Sequence, residues 1–206
     1  MKTLFTGIRC PDQTFVHTPL IEIRPVRDNG EIKQVALEME RYDYLLYTSQ
    51  NAVTHFLPRS QHVRIVSIGD TTSEALRQAG ATEIEQVEQD NSYGVIDWFA
   101  RQPRGSVLIP RSNLALSLIP KGLRNLGFEV TTVTAYENHM PEEPQKVDLS
   151  QIDKIVFTSP STIDNFIILY GSLPKGKQFI TRGPITEQYL QNKIKRQNHE
   201  TIQRIP

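Results

Sequence analysis

One cysteine, Cys10, among 206 residues excludes an internal disulfide framework and a multi-cysteine metal site. His17, His55, His62, His139 and His199 are too scattered for metal-ligand spacing, so no metal is expected. Neither sign of charge is in excess: 23 Lys and Arg balance 23 Asp and Glu, so no global field draws nucleic acid or an anionic membrane. No apolar run approaches the ~20 residues of a membrane span, and the few apolar residues before Arg9 are too short for a signal peptide. A cytoplasmic protein with no nucleic-acid and no membrane partner is the expectation. A nucleotide-binding loop is lacking as well. Residues 171–177 approach its pattern, but Gln178 replaces the metal-binding hydroxyl, and the segment follows a helix and precedes a strand, the reverse of the required order.

What the chain does have is a motif written twice. Tyr44-Leu45-Leu46-Tyr47-Thr48-Ser49 is echoed by Lys154-Ile155-Val156-Phe157-Thr158-Ser159, 110 positions later. Gly69-Asp70-Thr71-Thr72 follows the first copy and Gly183-Pro184-Ile185-Thr186 the second, at Thr-to-Gly intervals of 21 and 25 residues. One structural unit built twice implies two lobes with a cleft between them.

Short β-branched or aromatic runs alternate with helical spacings, which predicts parallel sheets. Strands are expected near 3–8, 20–26, 44–47, 64–68, 83–87, 106–109, 129–136, 154–157, 178–181 and 201–205. Helices are expected near 33–41, 51–57, 72–79, 93–101, 114–126, 163–170 and 185–196, that of 114–126 closing at Gly127. The Met140-Pro141-Glu142-Glu143-Pro144 stretch suits neither helix nor sheet interior and reads as linker. The division that follows is a discontinuous terminal domain of 1–18 plus 148–206, a connecting part of 19–28 and 129–147, and a middle domain of 29–128.

A Thr-Ser pair at the carboxyl end of a parallel strand, just before a helix, places hydroxyls and free backbone N–H groups where open α/β sheets bind ligands. The partial positive charge of the helix N-terminus suits carboxylate or phosphate oxygens. Taken singly, Ser49, Thr72, Ser159 and Thr186 read as ordinary N-caps worth about 1 kcal/mol. Four placed symmetrically read as rims around one ligand with several negative groups. The first lobe contributes Thr48, Ser49, Gln50, Asn51, Gly69, Thr71 and Thr72 to this candidate binding set. Thr158, Ser159, Ser161, Gly183 and Thr186 come from the second. Arg111 and Ser112, at another strand end, join them, Arg111 as a bidentate grip on a carboxylate or else a surface arginine. Trp98 reads as core.

Residues 44–53 and 69–76, Leu108-Ile109-Pro110-Arg111-Ser112, the helix of 118–127, Val133-Thr134-Ala135-Tyr136 and Phe157-Thr158-Ser159-Pro160-Ser161 together resemble uroporphyrinogen-III synthases, in matching order from about Pro19 to Leu190. The resemblance implies two flavodoxin-like α/β domains joined by a two-stranded ladder, here 20–26 with 130–136. It implies a lyase that needs no cofactor. In that reaction hydroxymethylbilane, a linear tetrapyrrole bearing acetate and propionate groups, loses its hydroxyl, inverts its last pyrrole ring through a spiro intermediate and closes to uroporphyrinogen III. Tyr136 matches the tyrosine that assists departure of the hydroxyl; it reads equally as a ladder residue filling the seam between domains. Thr186 matches the second threonine of a Gly-Pro-Thr-Thr turn whose first is Ile185 here.

The chain departs from that family at both ends. Only Arg9 to Thr14, with Pro11 among them, stand where a full helix belongs, and a parallel crossover needs a dozen or more residues. The last expected strand runs to the end, so the terminal domain is expected to lack its first and last helices. Right-handed crossovers put those two on one face of the sheet. That face should be bare, and either polar, as Thr201 and Gln203 hint, or covered by a second subunit in a homodimer. Two functions follow: the cyclising enzyme, or a non-catalytic or impaired module of the same fold that binds anions or tetrapyrroles.

Overall fold

The computed structural model describes all residues except Asp28, 59–61 and 204–206, and for 199–203 the backbone path alone. The chain forms two compact units, Met1–Glu22 with His139–Pro206, and Ile23–Asn138. From the N-terminus run β1 (Thr3–Phe5), β2 (Val16–His17), β3 (Glu22–Pro25), α1 (Gly30–Leu37), β4 (Tyr44–Tyr47) and α2 (Gln50–His55). Then come β5 (Arg64–Ser67), α3 (Asp70–Gln78), β6 (Ile84–Gln86), α4 (Ser92–Ala100), β7 (Ser106–Ser112), α5 (Leu118–Asn125) and β8 (Glu129–His139). The return supplies β9 (Lys154–Phe157), α6 (Pro160–Tyr170), β10 (Gln178–Thr181) and α7 (Pro184–Gln203). Among the described residues no helix is long and apolar enough to cross a membrane.

The middle unit is a six-stranded sheet in the order β3-β8-β7-β4-β5-β6, parallel from β8 through β6. Pairing of β3 with β8 realises the expected two-stranded ladder as the sheet's edge. All four residues of β4 are buried, as a central parallel strand covered on both faces must be. Leu45 and Tyr47 point into one apolar cluster with Val35, Ala52, Val53 and Leu76 of α1, α2 and α3. Tyr44 and Leu46 point into the other, with Val95, Trp98 and Phe99 of α4 and Ile119 and Leu123 of α5. Trp98 is therefore core.

The terminal unit has the sheet order β10-β9-β1-β2, parallel throughout. Helices α6 and α7 cover one face, where Ile163, Phe166 and Leu190 pack on Leu4, Ile155 and Phe157. Register places His17, Phe5, Val156 and Ile180 side by side on the other face. Phe15 stacks on Phe5 there at 6.5 Å, while Ile180 stays 38% exposed. Among the described residues no helix lies between β1 and β2. The expected strand at 201–205 is not formed: Thr201 to Gln203 continue α7, and 204–206 lie outside the described residues. No glycine or proline interrupts the twenty-residue helix after Pro184, so its hydrogen-bond ladder propagates through Thr201 and Ile202 despite their β preference.

Candidate functional site

Within the middle unit, chain connections run outward from β4 on one side, to β5 and β6, and from β7 on the other, to β8. The order reverses between β4 and β7, and such a switch leaves a crevice at the strands' carboxyl ends. Beyond β4 lie Thr48 and Ser49; β7 itself ends with Arg111 and Ser112. Ser49 is extended at φ −163° and caps α2, its Oγ accepting the Asn51 N–H at 3.1 Å. Tyr136 reaches the same atom: its hydroxyl donates to Ser49 Oγ at 3.2 Å. Two residues singled out for different reasons, a rim serine and a ladder tyrosine, thus share a hydrogen bond.

A β-bulge aims Tyr136. Alternation along β8 would turn Val133 and Ala135 toward the α1–α3 side and Tyr136 away from it. The register with β7 slips instead: Arg111 faces Thr134 but Ser112 faces Tyr136, leaving Ala135 as an extra residue. Tyr136 therefore joins Val133 and Ala135 in the α2-side cluster, as a bulge next to a site is able to arrange. Asn113 secures the strand beyond: its N–H donates to the Tyr136 carbonyl at 3.3 Å, and its Oδ1 accepts the Asn138 N–H at 2.7 Å. Sequence reasoning misses Asn113; an asparagine directly after a strand end is the signal for it.

Of the three tyrosines in this cluster, Tyr47 and Tyr136 have opposite fates. Tyr47 is fully buried, donates to the Phe56 carbonyl at 2.7 Å, and burial pushes its phenol pKa far up, so it is a fixture of the core. Tyr136 ends on the half-buried Ser49 hydroxyl and has the ring of His55 stacked on it at 5.8 Å. Nothing in the residues around His55 foretells that contact.

Arg111 stands apart. Strand alternation sends it toward the α4–α5 side, where it donates to the Ala115 carbonyl. Desolvation, then the charge of Arg124, depress its pKa. Among the described residues no carboxylate pairs with this half-buried cation. Ser112 is buried on the Tyr136 side.

Three expected rims differ from the simple picture. Gly69 caps α3 without a side chain, and a Cβ there would lie 2.6 Å from Asp90 Cγ. With Asp70 in the first turn, that helix end already faces two carboxylates, which disfavours a further anion. Thr71 is exposed, whereas Thr72 and Thr186, each 4% exposed, turn inward and do not present hydroxyls at a rim. In the terminal unit the N–H groups of Thr158 and Ser159 are not free, because both donate to Thr162 Oγ1, at 3.2 and 3.3 Å. Ser159 and Ser161 pair hydroxyls at 2.8 Å, and Gly183 sits at φ +85° beside the start of α7. A cavity of about 310 Å³ in this unit is lined by His17, Thr18, Pro19, Pro141 and Glu143, none of them a candidate residue. Among the described residues no cluster of His, Cys, Asp or Glu is arranged for a metal.

Residues 12–201 match the family model described as uroporphyrinogen-III synthase HemD. The uroporphyrinogen-III synthase of Chlorobaculum parvum is 30% identical over 174 residues, spanning 75% of this chain and 68% of that relative. A mutant uroporphyrinogen III synthase from Thermus thermophilus shares the fold at a TM-score of 0.66 and 15% identity, over 93% of this chain and 88% of the other. The Helicobacter pylori 26695 enzyme does so at 0.58 and 17%, over the same shares of the two chains.

Proposed function

Since this chain belongs to the uroporphyrinogen-III synthase family, cyclising lyases of tetrapyrrole biosynthesis, we propose that it closes hydroxymethylbilane to uroporphyrinogen III with Tyr136 as its acid. The observation that carries this reading is the hydrogen bond from Tyr136 to Ser49 at the sheet's switch point. When the departing hydroxyl replaces Ser49 Oγ as its acceptor, the Tyr136 O–H gives it a proton; it leaves as water while the pyrrole nitrogen's electrons form the azafulvenium ion, whose N–H proton passes to the phenolate to give the azafulvene. That species is reactive in itself, so the protein has chiefly to hold the chain's ends together and help the proton across. Ser49 Oγ, fixed by the Asn51 N–H, orients the phenol. Arg111, at the end of β7, meets a substrate carboxylate, and Thr48, Gln50 and Asn51 offer polar groups at the end of β4.

A single cysteine supports a reducing compartment, the cytoplasm, as its location. A second copy of the chain covers the Phe5–Val156–Ile180 face of the terminal sheet, a row whose edge is otherwise wet. The test of function is direct. The protein is incubated with enzymatically generated hydroxymethylbilane and the oxidised isomers are separated. Isomer III is expected, and isomer I alone would leave the non-catalytic module as the function.

A further inference from the structure

The six-residue helix α2 holds Tyr136 at two points. Its N-cap, Ser49, takes the hydroxyl; its last turn presents His55, whose ring lies 5.8 Å from the Tyr136 ring at an interplanar angle of 25°. Six residues of α-helix rise about 9 Å, enough for one short helix to run alongside a tyrosine from hydroxyl to ring. Among the described residues the imidazole makes no hydrogen bond or ion pair, and it is half-buried while Tyr136 is 6% exposed. Its place is thus the face of the phenol, between that ring and solvent.

We infer that His55 is a positioning residue for Tyr136, a lid on the ring that holds the phenol oxygen beside Ser49, where its O–H can turn to the leaving group. This rests on Tyr136 acting as the acid. Offset ring pairs in the 4.5–7 Å range contribute enough to hold a side chain in one rotamer, and a phenol restrained at its backbone, hydroxyl and face has little freedom left. Without the stack the phenol keeps its chemistry and loses its aim. The loss therefore falls on turnover and not on substrate affinity.

His55→Gln keeps the size and helical tolerance of the residue but has no ring. It is expected to lower kcat for isomer III about fivefold with KM unchanged, while His55→Phe recovers at least half of the wild-type rate. In a Tyr136→Phe background the same His55→Gln change should have no further effect on kcat, because there is no hydroxyl left to aim. An equal loss in both backgrounds, or no loss in either, overturns the inference, as does a variant restored only by histidine. Full activity in Tyr136→Phe itself overturns the acid reading together with this one, which separates the two failures. Melting curves of each variant keep folding losses apart from turnover losses.

Discussion

Tyr136 and Ser49, 87 positions apart in sequence, share one hydrogen bond, hydroxyl to hydroxyl, at 3.2 Å. Ser49 Oγ is at the same time the acceptor for the Asn51 N–H. A single oxygen therefore starts a helix and orients the phenol, and its removal has two separate effects.

Ser49→Ala should lower kcat about fivefold, the equivalent of one neutral hydrogen bond, and lower stability by about 1 kcal/mol for the lost N-cap. Ser49→Thr, which keeps the hydroxyl, should recover both. Steady-state kinetics beside urea unfolding separates the two effects, and a stability loss with unchanged kcat would leave Ser49 a cap alone.

Arg111→Ala should raise KM about tenfold with little change in kcat, as expected for a charged hydrogen bond made equally to substrate and transition state. Arg111→Lys should recover little, because a lysine cannot reproduce the planar fork. Wild-type KM in Arg111→Ala would remove the residue from the substrate site.

Asp43 lies away from the site and reports on acid stability. Its carboxylate accepts the Ser106 N–H at 2.7 Å and the Ser106 Oγ–H at 2.8 Å; the backbone bond, then the hydroxyl, hold its pKa below the usual carboxylate range. A carboxyl whose pKa is lower folded than unfolded stabilises above the unfolded value and loses that contribution as pH falls through the folded one. Asp43→Asn should therefore be less stable than wild type near neutral pH, and the gap should narrow as the pH falls through and below the ordinary carboxylate range. A gap that persists unchanged into acid would point to packing instead.

The exposed edge of the terminal sheet bears on assembly. The chain should sediment well above its 23.5 kDa monomer mass, and Ile180→Asp should return it to the monomer. A wild-type monomer across the micromolar range would show that the Phe5–Val156–Ile180 row is tolerated in water.

Much of this was legible in the residues. Tyr44 to Tyr47 form an apolar run followed by Ser49, a helix starter with its hydroxyl in the right place, so the β4–α2 junction follows from local chemistry alone. Gly127 at φ +88° ends the α5 turn as the sequence suggests. The two residues of β2 are too few to show any period, and their pairing with Leu4 and Phe5 is a tertiary event. The same holds at Ala135. Residues 129–136 read as a plain β-branched strand with nothing to mark a bulge, and the slip that redirects Tyr136 comes from how β8 meets the end of β7. His55 was invisible for a like reason, since a stacked histidine and a wet one are spelled alike.

The extra residue in β8 turns the location of Tyr136 into a matter of counting. Substitutions in this strand change what is presented, but an insertion or deletion between Thr134 and Tyr136 changes to which side it is presented, exchanging the α2 side for the α5 side in one step. The strand should thus accept altered letters far more readily than altered length. Anyone moving this site onto another scaffold has to carry the number of residues from Glu129 to His139 as faithfully as the tyrosine itself.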